Sequence, residues 1–430
     1  MDAADPLRHF RERFHMPRGA DREELIYFTG NSLGLMPKTA HAFVKEELDD
    51  WASLGVAGHM HAKNPWLAYH ELLTGHMASI IGAKPIETVV MNTLTVNLHL
   101  MLVSFYRPTP ERYKIVIEKG AFPSDQYAVK SQIEFHAGTA KVWSSNSSWP
   151  APDGEPAKAG APNALIELTP RDGESTLRTE DIIETIEREG DTIALVMLGG
   201  VNYYSGQAFD MKSITAAGHK AGAVVGFDLA HAAGNIELKM HDWGADFAVW
   251  CSYKYLNGGP GAVGGAFIHE RHANSFDIPR FAGWWGHDKA SRFLMGPDFQ
   301  PIPGAEGWQV SNPTVLQMAA MRASLDIFEE AGMNALIEKS RKLTGYLESL
   351  IDEIADGRIS IITPRDPSQR GCQLSISVRE GGKALYEKLG GKGVSVDWRE
   401  PSVIRAAPTP LHNSFVDVFR FSEILKDCLR

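Results

Sequence analysis

The middle of the chain alternates short, wholly apolar segments with helical ones, and this pattern restricts the possible folds more than any other feature. Helices are predicted at residues 181–189 and 213–221. Strands are predicted at residues 192–198 (TIALVML), 223–228 (AVVGFD) and 246–251 (DFAVWC). Strands that are apolar on both faces and joined through helices are typical of a parallel sheet covered on both sides. We therefore expect an α/β fold with a mostly parallel central sheet.

The pattern changes towards the C-terminus. Residues 313–331 and 340–354 are predicted to be helical, whereas residues 373–378 (QLSISV) alternate like a half-buried strand. A chain of 430 residues is also too long for one compact core. We expect three parts: an N-terminal segment that packs with the small domain (1–60), a large α/β domain (61–305) and a small C-terminal α+β domain (306–430). Residues 144–160, rich in Ser, Pro, Gly and Ala, are predicted to be a surface loop.

Composition excludes several classes of protein. The net charge is −10 without a basic block, which argues against nucleic acid or an anionic membrane as a partner. No apolar run approaches the roughly 20 residues of a membrane span, and the charged N-terminus lacks a signal-peptide core. Cys251, Cys372 and Cys428 form an odd set without framework spacing, which fits a reducing compartment. We expect a cytoplasmic protein.

Charged side chains follow two of the predicted strands. Asp228 ends one strand and Lys254 lies just past the end of another, where open α/β sheets bind ligands. Lys254 stands between two tyrosines and before a glycine-rich loop, 26 residues after Asp228, and His231 lies three residues after Asp228. Alone, Asp228 would more often be a strand-end cap and Lys254 a solvated lysine. A pyridoxal-phosphate (PLP) enzyme needs both, a lysine for the Schiff base and an acid for the pyridinium nitrogen, and their order favours that chemistry.

From about Tyr27 to its C-terminus the chain resembles the kynureninases, which belong to the fold-type I (aspartate-aminotransferase-like) PLP enzymes. The segments that carry the resemblance are YFTGNSLGLMP, NTLTVNLH, FPSDQYA, FDLAHAAGN, HDWGADFAVWCSYKYLNGGPG, GWWGH and SNP. GNSLGL, FPSDQYA and CSYKYLN are specific to the family. The resemblance implies PLP-dependent hydrolysis of the Cβ–Cγ bond of L-kynurenine, giving anthranilate and L-alanine. It also implies a role in tryptophan catabolism or NAD synthesis, and a homodimer with shared active sites.

The resemblance implies a role for individual residues. Lys254 would bind the cofactor and shuttle protons, Asp228 would pair with the pyridinium nitrogen, and Tyr253 would reach the phosphate. Phe122 would stack on the ring, and Trp284 and Asn312 would come from the neighbouring subunit. The expected cofactor-binding set is Leu94, Thr95, Phe122, Pro123, Ser124, Asp125, Asp228, His231, Tyr253, Lys254, Trp284 and Asn312. The expected substrate-binding set is Ser32, His59, Asn312 and Arg405, with Arg405 clamping the α-carboxylate.

Simpler interpretations remain open for several of these residues. Arg405 would be a strand-edge arginine, Phe122 a core residue, and Trp284 a packing residue. Asn312 precedes a proline and would be a helix N-cap. Polar groups at His59 and Asn312 would accept a ring hydroxyl, so 3-hydroxykynurenine is an expected second substrate, giving 3-hydroxyanthranilate. Gly199 departs from the family pattern, since some relatives carry a serine there; this puts one cofactor hydrogen bond in doubt.

Two other functions compete with this one. A cysteine desulfurase shares the fold but needs a nucleophilic cysteine on a mobile loop; Cys372 lies 118 residues after Lys254 but immediately before a predicted strand, which favours an inert thiol. A binding module without activity would commonly lose the lysine or the aspartate, and both are present. The addition of water to the Cγ carbonyl of the substrate needs a general base. Tyr253 and a phosphate oxygen of the cofactor are both left open as that base. His269 and His272 lack the spacing of a zinc helix, so no metal is expected.

Overall fold

The structure, a computed structural model, describes residues 1–20, 22–145 and 164–430, together with side chains outside residues 137–145. The surface loop predicted at residues 144–160 falls largely outside the described residues. Within those ranges no helix is long and apolar enough to cross a membrane.

Thirteen strands are present in the described ranges, numbered in chain order. They are β1 (Ile26–Tyr27), β2 (Thr88–Val90), β3 (Lys114–Glu118), β4 (Leu165–Leu168), β5 (Ile193–Gly199), β6 (Val224–Asp228), β7 (Phe247–Trp250), β8 (Gly265–Ile268), β9 (Ile359–Ile361), β10 (Leu374–Val378), β11 (Val394–Ser395), β12 (Asp397–Arg399) and β13 (Val403–Ala406).

The α-helices of the same ranges are α1 (Ala40–Leu54), α2 (Gly58–His61), α3 (Glu71–Ile81), α4 (Leu94–Phe105), α5 (Pro123–Ser145), α6 (Thr179–Glu189), α7 (Met211–Lys220), α8 (Met240–Trp243), α9 (Val315–Ala331), α10 (Met333–Ile354), α11 (Gly382–Gly391) and α12 (Phe415–Leu429).

The central sheet has seven strands in the order β2-β8-β7-β6-β5-β3-β4. Strands β4, β3, β5, β6 and β7 are parallel neighbours, and β8 runs antiparallel to both β7 and β2. The residues of β5 are all buried and divide between two core clusters, which lie on opposite faces of the sheet. The mostly parallel sheet, apolar on both faces, that the sequence predicts is thus confirmed.

The predicted elements agree with the observed ones except at their ends. The C-terminal helix predicted at 340–354 begins earlier, at Met333, because Gly332 separates it from α9. The helix predicted from residue 313 begins at Val315, with Thr314 as its N-cap residue. The interpretation of Asn312 as a helix N-cap is therefore wrong, since Pro313 and Thr314 stand between Asn312 and the first helical turn.

A second, smaller sheet contains β13, the strand that carries Arg405. Its order is β12-β13-β10-β9, all antiparallel, and α10 and α12 cover it with a separate apolar core. The N-terminal segment joins this part through β1, which pairs with β11, whereas α1 packs on α9. The division of the chain at residues 60 and 305 stays a prediction.

Close packing beside β6 gives a test of the fold. A Cβ atom on Gly226 would lie 2.1 Å from the ring of Phe247, which is fully buried and stacks on Phe105. We expect Gly226→Ala to destabilise the protein by about 1–3 kcal/mol, because the ring cannot move aside without displacing its neighbours. The measurement is the thermal midpoint of unfolding.

Gly345→Ala is the matched control. Gly345 lies in α10, and its added Cβ would meet no described atom within 4 Å. Alanine there should raise the midpoint, since it restricts the unfolded chain and favours the helix. Equal midpoints for Gly226→Ala and the wild type would contradict the packing described here.

Candidate active site

A cavity opens at the carboxyl ends of β3, β5, β6 and β7, the place where open α/β sheets bind ligands. Each of these strands, or the turn after it, contributes side chains to the wall. The residues that line the cavity are Leu94, Thr95, Glu118, Phe122, Ser124, Asp125, Gly199, Val201, Tyr203, Asp228, Ala230, His231, Tyr253 and Lys254.

Lys254 is buried in this cavity beside an imidazole. Its Nζ lies 2.9 Å from Nε2 of His231, and 5.6 Å from the ring centre of Phe122. Burial, followed by the charges of Lys254, Arg405 and Arg399, holds the pKa of His231 well below its ordinary value. His231 is therefore neutral near pH 7, and its Nε2 can accept a hydrogen bond from the Lys254 amine.

Asp228 shares the cavity floor with a second carboxyl group, Asp125. Asp228 accepts a hydrogen bond from the backbone N–H of Ala230 at 2.6 Å. Burial raises the pKa of both groups, and the charge of Asp228 raises that of Asp125 further. Two adjacent buried carboxyl groups do not both ionise readily, and the interaction between their side chains raises the pKa of Asp125 and lowers that of Asp228.

Glu118 is a third buried carboxyl group at this edge. Its Oε2 accepts a hydrogen bond from the backbone N–H of Gly199 at 3.1 Å. Burial is the main cause that raises the pKa of Glu118 to about 7, and the charge of Asp228 adds to the shift. A Cβ atom on Gly199 would lie 3.1 Å from Oε1 of Glu118, so a side chain at 199 would require the acid to shift by a few tenths of an ångström.

Arg405 lies on β13, next to the cavity. Only 1% of its side chain is exposed, and it lies on an interior strand of its sheet, which excludes the strand-edge interpretation. Its Nη1 donates to the carbonyl of Tyr203 at 2.7 Å, and its Nη2 bonds the carboxylate of Asp397. Since the Tyr203 ring lines the cavity, this carbonyl joins the arginine to the cavity wall.

The cavity fits a phosphorylated, cationic aromatic group. Asp125 Oδ1 and His231 Nδ1 are buried without a hydrogen-bond partner among the described residues. The raised pKa of Asp228 shows a carboxylate that lacks a full countercharge, which a protonated pyridine nitrogen would supply. Leu94 and Thr95 open α4, which carries no side-chain cap in the described structure, so its first N–H groups are available to a phosphate. Phe122 is 41% exposed and is not a core residue.

Six of the residues predicted for the site are not among those that line this cavity: Ser32, His59, Pro123, Trp284, Asn312 and Arg405. Pro123 is the first residue of α5, beside Phe122. Trp284 is 45% exposed and donates its Nε1–H to the carbonyl of Arg292, and Asn312 is exposed. The His59 ring contacts Trp66, and its Nδ1 lies 3.1 Å from the carbonyl of Val56. Ser32 is close to the site, since its hydroxyl lies 3.4 Å from Nη2 of Arg405.

Several residues of the site did not emerge from the sequence. Glu118 ends the apolar segment KIVIE as Asp228 ends VVGFD, so the same strand-end signal could have found it. Tyr203 contributes a ring and a carbonyl from a turn that has no motif. Asp397 and Arg399 follow the alternating segment around Val396, and only the pairing of β12 with β13 brings them to Arg405.

The three cysteines are all buried. Burial raises the pKa of Cys372 to about 12 and that of Cys251 to about 11. Cys372 is fully buried next to β10, and its backbone N–H is bonded to the side chain of Asn235. A thiol with these properties is not poised as a nucleophile.

Solved structures share this fold at low sequence identity. A cysteine desulfurase from Escherichia coli superposes with a TM-score of 0.75 at 15% identity, with 98% of each chain covered. The cysteine desulfurase of Thermococcus onnurineus NA1 gives a TM-score of 0.73 at 18% identity, with 94% of each chain covered. The likeness shows a fold shared with these structures, and the cavity contains the buried lysine and carboxyl group that PLP chemistry needs.

Curated relatives narrow the class to a family. The kynureninase of Myxococcus xanthus is 58% identical over 426 residues, covering 99% of this chain and 95% of the relative. That of Koribacter versatilis is 56% identical over 421 residues, with 98% and 94% covered. The sequence model of the kynureninase C-terminal domain matches residues 336–425. The chain belongs to the kynureninase family.

The raised pKa of Glu118 predicts a pH dependence of stability. Between about pH 4.5 and 7 the folded chain keeps a proton on Glu118 that the unfolded chain releases, so stability falls as pH rises through this window. Glu118→Gln should flatten this slope in the cofactor-free protein, by on the order of 3 kcal/mol over the window. Urea denaturation at several pH values between 4.5 and 8 measures it.

The exposed Glu380 provides a control. Glu380→Gln removes the same chemical group from water rather than from the protein interior, and should leave the pH slope as in the wild type. Identical slopes for Glu118→Gln and the wild type would show that Glu118 ionises normally in the fold.

Proposed function

We propose that this protein hydrolyses the Cβ–Cγ bond of L-kynurenine, and of 3-hydroxy-L-kynurenine, with PLP as its cofactor. One water is consumed, and the products are anthranilate or 3-hydroxyanthranilate together with L-alanine. The observation that carries the proposal is the shared cavity of Lys254 and the buried carboxylate Asp228 at the ends of neighbouring parallel strands. Membership of the kynureninase family specifies the substrate.

The residues around Asp228 would hold the cofactor. When bound, PLP supplies an aldehyde for the substrate amine and a ring that withdraws electrons. Asp228 would keep the ring nitrogen protonated, and Phe122 would stack on the ring. The N-terminal residues of α4, Leu94 and Thr95, would bind the phosphate together with the phenol of Tyr253. Pro123, Ser124 and Asp125 form the turn that carries Phe122.

Lys254 would link the cofactor and then move a proton at the substrate α-carbon. It needs its neutral amine to act as a base, and His231 lies 2.9 Å away with a ring that is neutral near pH 7. We propose that His231 positions the amine and approaches the phenolic oxygen of the cofactor. Burial raises the pKa of Tyr253. This favours a phenol that donates a proton over a phenolate that acts as the base when water is added to the substrate.

Arg405 would bind the substrate α-carboxylate. Its guanidinium is almost fully buried at the cavity wall, and its planar fork matches a carboxylate. Ser32, whose hydroxyl lies 3.4 Å from Nη2, would bind beside it.

The remaining predicted residues support a shared site in a symmetric homodimer. Trp284 and Asn312 do not line the cavity of their own chain, and we propose that they reach the cofactor of the neighbouring subunit across an interface. Tryptophans are enriched at interfaces because they combine apolar area with an N–H donor. A two-fold axis would supply the missing wall to both sites with one surface. We further propose a cytoplasmic location, which suits three free, buried thiols.

Turnover by the PLP-loaded protein tests the function directly. We expect anthranilate and L-alanine in equal amounts from kynurenine, and cleavage of the 3-hydroxy analogue as well. Lys254→Ala should lower kcat by roughly 10²–10⁴-fold or more, because the base at the α-carbon is lost. It should also lose the visible absorption of the lysine-linked cofactor while still binding PLP without a covalent bond.

Lys220→Ala, at a surface lysine paired with Glu187, is the control for loss of a lysine as such. Normal turnover by Lys254→Ala would refute the assignment of the lysine. Faster release of sulfide and alanine from cysteine than cleavage of kynurenine would instead favour the desulfurase alternative.

Complementation tests the shared site. Lys254→Ala is mixed with a Trp284→Ala, Asn312→Ala double variant under conditions that exchange subunits. In a mixed dimer one site collects both defects and the other neither, so random exchange should restore about a quarter of wild-type activity. Each variant incubated alone stays inactive. An inactive mixture in which mass spectrometry shows mixed dimers would rule out the shared site.

A further inference from the structure

The terminal nitrogens of Arg405 both have acceptors within the chain. Nη1 is bonded to the carbonyl of Tyr203, and Nη2 is bonded to Oδ2 of Asp397. Nε is buried and has no hydrogen-bond partner in the described part of the chain. The carboxylate of Asp397 thus occupies the position that a ligand carboxylate needs for a two-point contact with this guanidinium.

Strand pairing creates this contact. Asp397 and Arg405 are direct partners in the antiparallel pair β12–β13, so their side chains project from the same face of the sheet. The hydroxyl of Ser32 donates to the same Oδ2 at 2.5 Å. The Asp397 side chain is 13% exposed, whereas that of Arg405 is 1% exposed, so the acid lies nearer to water.

A second arginine lies on the other side of Asp397. Nη1 of Arg399 is 3.0 Å from Oδ1 of Asp397, and the Arg399 side chain is 36% exposed. The charges of Arg399 and Arg405 both act on His231, so both guanidinium groups lie near the cavity. Arg399, Arg405 and Asp397 together carry two positive charges and one negative charge. One further carboxylate would therefore neutralise this cluster.

We propose that Asp397 is a positioning residue that competes with the substrate carboxylate for Arg405, and that binding of the substrate transfers Asp397 to Arg399 alone. This inference rests on the proposed function, in which Arg405 clamps the α-carboxylate. While Asp397 is bonded to Nη2, its negative charge opposes the approach of a ligand carboxylate to the same guanidinium. Exchange releases Arg405 at small electrostatic cost, because Asp397 keeps a cationic partner. A ligand without a carboxylate cannot drive the exchange.

The first test compares two ligands on PLP-loaded protein. L-Alanine is the carboxylate-bearing product, and ethylamine is the same amine without the carboxylate. Asp397→Asn keeps the size of the side chain and a bond to Ser32 but removes the competing charge. We expect it to bind L-alanine about tenfold more tightly, the scale of one charge-assisted hydrogen bond, with ethylamine affinity as in the wild type. Titration of the visible spectrum and calorimetry give both dissociation constants.

Asp352→Asn is the matched control, since Asp352 pairs with Arg365 on the surface of α10, away from the site. It should leave both affinities unchanged. Unchanged or weaker binding of L-alanine to Asp397→Asn would overturn the proposal, because Asp397 would then hold Arg405 in its binding position rather than compete for it.

Arg399→Gln gives a second test, and its first part needs only the single variant. Loss of the second cation should weaken L-alanine binding severalfold, and the effect should shrink in the Asp397→Asn background, because Arg399 acts through Asp397. Equal effects in both backgrounds, or none, would overturn the proposal. Kynurenine cleavage by the wild type is measured alongside. If cleavage is absent, the proposed function fails; if cleavage is normal and these shifts are missing, only the competition fails.

Discussion

Burial of carboxyl groups at the carboxyl ends of the parallel strands is the constraint on which the rest of the site depends. Removing an ionised carboxylate from water costs several kcal/mol unless charge or hydrogen bonds replace the water. Here the backbone N–H groups of Gly199 and Ala230 and the amine of Lys254 replace it only in part, so the pKa values of Glu118 and Asp228 rise. The fold thus prepares a cavity whose unmet requirement is a cation, which a protonated pyridine ring satisfies.

In the proposed function, the second sheet would add the specificity for an amino acid. Its interior strand β13 carries Arg405, whose guanidinium bonds the carbonyl of Tyr203, a residue that lines the cavity. The proposed cofactor pocket and carboxylate pocket would then lie on different sheets with separate apolar cores, and their relative position would depend on contacts such as this one.

The sequence predicted the parts of this arrangement that depend on local pattern. Apolar strands separated by helices predicted the parallel sheet, and Asp228 and Lys254 after two of these strands predicted a common cavity. Contacts made by pairing of distant segments were not predictable in this way. Asp397 reaches Arg405 only through the register of β12 and β13, and the backbone carbonyl of Tyr203 has no signature in the sequence. The interpretation of Asn312 as a helix N-cap was wrong because the sequence around Pro313 does not determine at which residue the helix begins.

The contact between Glu118 and Gly199 has a consequence for how such a site tolerates substitution. The acid on β3 lies close to the last residue of β5, since the strands are neighbours and a Cβ atom added at Gly199 would lie 3.1 Å from Oε1. A serine in place of Gly199 therefore requires the carboxyl group to shift by a few tenths of an ångström. The free-energy effects of substitutions at these two positions, 81 residues apart, should therefore not be additive.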